Sequence, residues 1–288
     1  MAVRIVIDSS SDITKEQADQ LGLTFLPLKV LFSDAEYVDG ITMSHREFFQ
    51  KLADTGEIPK TGQVTPIAFQ DAFRAALDAG DDVVSISLAS TLSGTFQSSQ
   101  IAFDSFTEEE QSRIFLVDSE TASVGEEVLI RLAIDLRDQG KSAAEIAQVL
   151  EEKKKDVKFL ALLDTMENLK KGGRIPPAVA AIGSLLSVKP LIDINCGVLG
   201  MHGTARGMKG GYKAMAKYVQ EECGGIDFSL PFGLSYAGLT DSQVVDFKKA
   251  CPQVFEGFDG EVPVSSIGTT IGTHVGPGAL IIAFFGKN

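Results

Sequence analysis

The stretch DDVVSISLASTLSGTFQSSQ, residues 81–100, contains a strand pattern followed directly by a loop pattern. Residues 82–87 form a short, mostly apolar run that is typical of a buried β-strand. From residue 87 to residue 100 the chain has seven Ser or Thr side chains and one glycine, with no Lys, Arg, His, Asp or Glu. The sequence therefore predicts a strand that ends in an uncharged, hydroxyl-rich loop, with a helix after it.

The same order of strand, polar loop and helix recurs in the first half of the chain. VRIVI (3–7) and RIFLVD (113–118) are further buried strands, and both lead into loops of Ser, Thr or Asp. Capping boxes indicate four helix starts and a Thr-Pro pair indicates a fifth: Thr14 with Gln17, Ser44 with Glu47, Ser123 with Glu126, Ser142 with Glu145, and Thr65-Pro66. This alternation predicts an α/β fold with an N-terminal parallel sheet and crossover helices.

The second half of the chain is less regular. Strand-like apolar segments are separated there by glycine-rich loops and helical segments, and they occur at 159–165, 232–238, 261–267 and 279–285. We expect two domains. The N-terminal α/β domain covers residues 1–156, and a C-terminal α/β domain with a mixed or antiparallel sheet covers residues 157–288.

Composition and charge exclude several classes of protein. The 288 residues are 44% hydrophobic, which is enough for a substantial core, and their net charge of −13 disfavours nucleic acid as a partner. The longest apolar run (279–285) is too short to span a membrane, and the N-terminus lacks a signal-peptide pattern. Cys196, Cys223 and Cys251 have no metal-ligand spacing. We expect a cytoplasmic protein with no transmembrane segment, no metal and no cofactor.

Four hydroxyl-rich loops are expected at one edge of the sheet, namely DSSSD (8–12), TGQVTP (61–66), STLSGT (90–95) and DSETAS (118–123). Each loop alone is typical of a turn or a helix cap, but ligands of open α/β sheets bind at this edge. Gly94 permits close backbone approach, and Ser93 and Thr95 supply hydroxyl groups beside a helix N-terminus. Such neutral donors can hold a carboxylate, whereas the absence of a Lys after Gly94 argues against a nucleotide-binding loop.

A stand-alone Ser/His hydrolase or phosphotransferase is the alternative function, with Ser93 as nucleophile and His274 as base. A nucleophile elbow has glycines two residues before and after the serine, and here Thr91 and Thr95 occupy those positions. His274 lies between glycines ahead of the last strand. That position is compatible with a turn histidine satisfied by the backbone and with a donor to an anionic ligand.

Two arginines stand in glycine-rich loops of this acidic chain. Arg174 follows Gly172-Gly173, which fits the end of a helix, and Arg206 lies in GTARGMKGG (203–211). Each arginine is compatible with a structural role, and each is also suited to contact a phosphate or an acidic partner. The residues alone leave these alternatives open.

Seven motifs are more specific than these patterns: DSSSDI (8–13), TGQVTP (61–66), LSGTFQSS (92–99), VDSETASVG (117–125), LDTMENLKKGGRI (163–175), VKPLIDINCGVLG (188–200) and IGTHVGPGAL (271–280). With them the chain resembles the DegV family from residue 3 to residue 285. This is a family of bacterial fatty-acid-binding proteins that serve as acyl-carrying subunits of a fatty-acid kinase.

The resemblance implies a two-domain α/β protein that encloses a long-chain fatty acid and is not itself an enzyme. It implies that Thr61, Ser93 and His274 bind the carboxylate of the fatty acid, and that Gly94 and Thr95 form the supporting loop. The bound fatty acid is then a ligand rather than a cofactor.

The resemblance also implies a partner. A separate ATP-dependent kinase would phosphorylate the bound carboxylate to an acyl phosphate, and Arg174 and Arg206 would contact that partner or its phosphate. One departure from the family pattern is Gly62, where the family commonly has Ser. The acyl tail is expected to contact the apolar segment PPAVAAIGSLLSV (176–188) and core residues such as Phe25 or Leu26.

Overall fold

The computed structural model describes residues 2–176 and 187–287. The strands are β1 Val3–Asp8, β2 Thr24–Leu26, β3 Lys29–Leu31, β4 Glu36–Val38, β5 Lys60–Gly62, β6 Asp82–Ser87, β7 Ile114–Asp118, β8 Val157–Leu162, β9 Val188–Asn195, β10 Val198–Arg206, β11 Gly233–Tyr236, β12 Val264–Ser266 and β13 Leu280–Phe285. The helices are α1 Lys15–Gln20, α2 His45–Thr55, α3 Pro66–Asp78, α4 Thr95–Phe103, α5 Glu108–Gln111, α6 Val124–Asp138, α7 Ala143–Lys153, α8 Glu167–Gly172, α9 Gly207–Lys217, α10 Ser242–Ala250 and α11 Thr269–Val275.

The first sheet is parallel, with the strand order β2–β1–β6–β7. Val84 and Ile86 of β6 belong to a buried cluster that includes side chains of α6 and α7, whereas Val83 belongs to a cluster with side chains of α3. Helices therefore cover both faces of this sheet, which explains why its strands are continuous apolar runs. The predicted N-terminal parallel sheet with crossover helices is confirmed.

The second sheet has six strands in the order β10–β9–β8–β13–β11–β12. Its neighbouring strands are antiparallel except for β11 and β12, which are parallel, so the predicted mixed sheet is also confirmed. All strands of the parallel sheet lie within residues 3–118, and all strands of the mixed sheet lie within residues 157–285. We propose residue 156 as the domain boundary, because the 3₁₀ turn Lys154–Asp156 ends there, directly before β8.

A third sheet, β4–β3–β5, is antiparallel and has three short strands. The loop TGQVTP (61–66) begins in β5 of this sheet, whereas the other three hydroxyl-rich loops follow β1, β6 and β7 of the parallel sheet. The expectation that all four loops follow strands of one sheet is therefore wrong for residues 61–66. Strand β5 is only three residues long and reads KTG, so it has no apolar pattern that would indicate a separate sheet.

Helix α6 lies between the two larger sheets. Ile7 of β1, Leu129 of α6 and Ile281 of β13 belong to one buried cluster, so a continuous core joins the parallel sheet to the mixed sheet. At 15 residues, α6 is the longest helix described. Across the described parts of the chain, no helix combines the length and the apolar character that crossing a bilayer requires.

All five predicted helix starts are confirmed, since Ser123 directly precedes α6, but the capping box expected at Ser123 is absent. The side chain of Ser123 makes no capping hydrogen bond to α6, and its backbone has the unusual angles φ 58° and ψ −142°. Instead, the Ser123 hydroxyl donates to the buried carboxylate of Asp12, and the Glu126 carboxyl lies 2.8 Å from Ser10 Oγ. Tertiary contacts with the loop after β1 thus replace the local capping box.

The loop after β1 and the first turn of α6 share a chain of buried hydrogen bonds. Ser10 Oγ lies 2.5 Å from Asp8 Oδ1 and 2.8 Å from Glu126 Oε2. Burial raises the pKa of Asp8 to about 6, and burial together with the nearby charge of Asp8 raises the pKa of Glu126 well above 4.5. A single hydroxyl hydrogen cannot serve two acceptors, so we infer that protonated Glu126 donates to Ser10, and Ser10 donates to Asp8.

The variant Glu126→Gln tests this arrangement. Above the ordinary pKa of 4.5, the folded protein holds a proton on Glu126 that the unfolded chain releases, so rising pH lowers stability. A glutamine is neutral at every pH, and its amide N–H can donate to Ser10. We expect urea unfolding between about pH 5 and pH 8 to show a flatter pH dependence than in the wild type, with equal or higher stability at the upper end.

Glu145→Gln is the matched control. Glu145 is exposed in the capping box of α7, where hydrogen bonds from Ser142 lower its pKa to about 2. A lowered pKa has the opposite sign, so this variant should lose stability at neutral pH. An unchanged pH slope in Glu126→Gln would show that Glu126 is not protonated in the folded protein.

Candidate ligand-binding site

A cavity of about 140 Å³ lies where the hydroxyl-rich loops meet one face of the mixed sheet. Most of its walls are apolar, and they include Leu28, Leu92, Ile192, Ile194, Leu199 and Ile281. Its polar residues include Thr61, Ser93, Ser123, Arg174, Thr270 and His274. One water molecule needs only about 10–15 Å³ and several polar partners, so a cavity of this size and lining favours a larger and mainly apolar ligand.

Thr61 and His274 meet at the cavity, although 213 positions separate them in the chain. Thr61 Oγ1 lies 3.1 Å from His274 Nε2. Thr61 is held in place by the pairing of β5 with β3, and His274 by helix α11. The glycine-flanked stretch around His274 is thus helical up to Val275, which excludes the turn histidine, one of the two alternatives that the sequence left open.

His274 is neutral at physiological pH. Burial lowers the pKa of His274, the positive charge of Arg174 adds to this effect, and together they bring it to about 4. Within the described residues, Nδ1 of His274 has no hydrogen-bond partner. A neutral imidazole with Nε2–H can donate a hydrogen bond to an anion without bringing a buried charge to the site.

The position of the His274 ring depends on Gly172 at the end of α8. A methyl group added at Gly172 would lie 2.3 Å from His274 Nδ1, which is closer than two such atoms can approach. The next residue, Gly173, has φ 67° and ends the helix, as the sequence predicts. The two glycines therefore have different functions: Gly172 makes room for the ring, and Gly173 turns the chain.

The SGT loop lies beside this pair. Ser93 Oγ accepts a hydrogen bond from Thr95 N at 3.2 Å and lies 3.0 Å from Thr95 Oγ1. Thr95 is fully buried, and its hydroxyl accepts a hydrogen bond from Val64 N at 3.4 Å. Ser93 therefore lines the cavity, while Thr95 joins the SGT loop to the TGQVTP loop.

Gln63 is a residue of the site that the sequence analysis missed. Its side chain donates to Ser98 Oγ at 2.8 Å and lies over Gly94, where an added methyl group would come within 2.2 Å of Gln63 Oε1. The close approach that the sequence predicts at Gly94 is thus an approach by the side chain of Gln63. Its place within the TGQVTP motif is the one signal that could have identified it.

Ser123 and Thr270 also line the cavity, but their hydroxyl hydrogens are directed away from it. Ser123 donates to Asp12, and Thr270 donates to Asp39 at 2.8 Å. These two residues therefore present few free donors to a ligand. The hydroxyl donors that remain available are those of Thr61 and Ser93.

The two arginines lie in different surroundings. Arg174 is exposed and lines the cavity, and its guanidinium donates to the carbonyl of Gly172 at 2.7 Å and to the carbonyl of Leu92 at 3.3 Å. Arg206 is exposed at the end of β10 and is not among the described residues that line the cavity.

The expected contacts of the acyl tail are only partly described. Most of the segment PPAVAAIGSLLSV (176–188) lies outside the described residues, which end at 176 and resume at 187. Leu28 lines the described part of the cavity, whereas Phe25 and Leu26 do not. Leu26 instead packs in the cluster with α3, because β2 is at the edge of the parallel sheet next to that helix. In residues 2–176 and 187–287, no three His, Cys, Asp or Glu side chains are grouped to hold a metal ion.

Comparison with known proteins gives consistent matches over the whole chain. A family model described as "Uncharacterised protein, DegV family" matches residues 2–287. A DegV domain-containing protein from Deinococcus radiodurans is 32% identical over 286 residues, which is 98% of each chain. A solved structure of a fatty acid binding DegV family protein from Thermus thermophilus is 30% identical, with a TM-score of 0.86 over 99% of this chain and 100% of that one. A stearic acid-binding protein from Eubacterium ventriosum is 25% identical, with a TM-score of 0.83 over 98% and 97% of the chains.

Gly172→Ala tests the packing of the His274 ring. The added methyl group should push the ring away from Thr61 and toward water, so the pKa of His274 should rise from about 4 toward its ordinary value of 6.5. NMR titration can follow this change, because the chain has only three histidines. The control is Gly210→Ala in α9, where an added methyl group would make an ordinary contact at 3.7 Å. A His274 pKa that stays near 4 in Gly172→Ala would contradict the assigned packing.

Proposed function

The chain belongs to the DegV family, and we propose that it binds a long-chain fatty acid, with the tail in the apolar cavity and the carboxylate at Thr61, Ser93 and His274. The observation that carries this proposal is the composition of the cavity, which combines apolar walls with a small group of neutral donors. The fatty acids bound by the related proteins from Thermus thermophilus and Eubacterium ventriosum support it.

The energetics of a fatty acid fit this division of the cavity. At about 0.8 kcal/mol per methylene, a sixteen-carbon tail contributes roughly 12 kcal/mol of gross transfer free energy, from which the cost of ordering the ligand must be subtracted. The carboxylate then needs orientation more than additional affinity. Hydroxyl groups and a neutral imidazole give this orientation without burying a cation, which would be costly to desolvate in the empty protein.

We propose further that the chain is a carrier and not an enzyme. A separate ATP-dependent kinase would transfer the γ-phosphoryl group of ATP to a carboxylate oxygen of the bound fatty acid, which forms an acyl phosphate and releases ADP. The exposed guanidinium of Arg174 beside the cavity and the exposed Arg206 are suited to contact that kinase or its phosphate. Because the reaction requires ATP, we propose the cytoplasm as its location.

The alternative, a stand-alone Ser/His hydrolase or phosphotransferase, has weaker support. The described hydrogen bonds of Ser93 Oγ go to Thr95 and not to His274. With its pKa lowered to about 4, His274 is also a poor general base. A burst of product from an activated acyl ester, lost in Ser93→Ala, would favour this alternative.

Ser93→Ala should weaken fatty-acid binding. Removal of one hydroxyl donor to a carboxylate costs about 1.5–3 kcal/mol, so the Kd should rise roughly 10- to 150-fold. Binding of a fluorescent fatty acid, together with mass spectrometry of the lipid released on denaturation, measures this effect. The control is Ser99→Ala, because Ser99 is buried in α4, directly after the SGT loop, and donates to the carbonyl of Phe96 at 2.7 Å. Equal affinities for the two variants would contradict the role of Ser93.

Arg206→Ala should leave the lipid content unchanged and lower the rate of kinase-dependent acyl-phosphate formation. The expected reason is the loss of one charged contact with the partner, since Arg206 does not line the cavity. Lys249→Ala, which removes one exposed positive charge from α10, is the control. A normal rate with Arg206→Ala, or a variant that purifies without lipid, would contradict this assignment.

A further inference from the structure

A second cavity, of about 220 Å³, adjoins the apolar cavity. Its lining is polar and includes Glu120, Lys154, Lys155, Lys158, Asn195 and Tyr218. Ile194 lines both cavities, so the two spaces are separated by little more than the width of one layer of side chains.

Strand β8 crosses the boundary between the two cavities. Val157 lines the polar cavity, whereas Phe159 and Ala161 line the apolar cavity. These three alternate residues point to the same face of the sheet, about 6–7 Å apart. Phe159 is therefore the last residue of β8 on the apolar side of the boundary.

The loop before α6 crosses the same boundary from the opposite side. Thr121 lines the polar cavity, and the next residue, Ala122, lines the apolar cavity. The ring of Phe159 lies near this loop, at the first turn of α6, because a methyl group added at Gly125 would lie 3.1 Å from the ring and 2.2 Å from Thr121 Oγ1. The ring thus lies between the sheet and the first turn of α6, where the residues lining the polar cavity give way to those lining the apolar cavity.

Phe159 also lies at the end of the apolar cavity that is farther from the head-group residues. Strand β8 runs toward α8, whose Gly172 packs against His274. Ala161 pairs with Ile192 and Ile281, so these three residues form a row across the sheet that is nearer to α8. The row that contains Phe159 lies two positions earlier on β8 and is therefore farther from α8.

We propose that Phe159 is the end wall of the acyl-tail site, where it limits the length of the chain and keeps the methyl end of the tail out of the polar cavity. This inference rests on the proposed function, since it assumes that the apolar cavity holds an acyl tail. A tail longer than the cavity must either displace the ring of Phe159, which is only 5% exposed, or enter a space lined by lysines and carboxylates. Neither outcome gains the transfer free energy of an apolar site.

Competitive loading with saturated fatty acids from myristic to behenic acid tests the proposal. The wild type, Phe159→Ala and Phe159→Leu are each incubated with an equimolar mixture, and the bound lipids are released by denaturation and measured by mass spectrometry. Each methylene that becomes buried in the enlarged site should favour the longer chain by about fourfold. We expect the ratio of bound arachidic to palmitic acid to rise at least tenfold in Phe159→Ala and by a smaller factor in Phe159→Leu.

Leu160→Ala is the matched control. Leu160 is the next residue on β8, is fully buried, and belongs to the cluster on the opposite face of the sheet. This variant makes a comparable core truncation but should not change the ratio of chain lengths. If Phe159→Ala does not fold, the ratio in Phe159→Leu decides the question.

The outcomes separate this inference from the proposed function. If the wild type and the variants bind fatty acids with the same distribution of chain lengths, Phe159 is not the end wall, and the proposed function stands. If the wild type binds no fatty acid of any length, the proposed function itself is wrong.

Discussion

The contact between Thr61 and His274 is the interaction on which the candidate site depends. It joins a short strand of the three-stranded sheet to helix α11, 213 positions away, and so it brings the TGQVTP loop and the stretch around His274 together at the cavity. The imidazole of His274 takes part in this contact in its neutral form, because burial of the ring lowers its pKa. The contact also requires a glycine in α8, because any side chain there would occupy the position of the ring.

The loops around the cavity bury polar groups that are paired with hydroxyls and backbone N–H groups. The loops after β1 and β7 bury several carboxyl groups next to serine hydroxyls, and the site itself uses hydroxyls and a neutral imidazole. Ser123 and Thr270 contribute to both arrangements, since they line the cavity and donate to Asp12 and Asp39. The carboxyl groups thus hold the hydroxyls of the cavity wall in fixed orientations, which leaves the donors of Thr61 and Ser93 to define the polar end.

Much of the fold could be predicted from the sequence, because strands that are buried on both faces and helices with local caps leave strong patterns. The helix start at Ser123 was predicted, but its capping box is absent because contacts with Asp12 and the loop after β1, distant in sequence, outweigh the local pattern. The third sheet was missed because its strands are three residues long. For the site, motifs indicated Thr61, Ser93 and His274. The places of Gln63 and Thr270 follow from packing between distant segments, and only the TGQVTP motif gave a signal for Gln63.

The position of the cavity has a consequence for the lifetime of the protein in the cell. The residues that surround the cavity come from strands and helices spread over most of the chain, so the cavity exists only in the folded state. Any molecule that fills it binds the folded chain and not the unfolded one, and the free energy of unfolding then increases with the concentration of that molecule. The supply of ligand therefore raises the resistance of the folded chain to proteolysis, and the empty protein is the form that unfolds and is cleaved more readily.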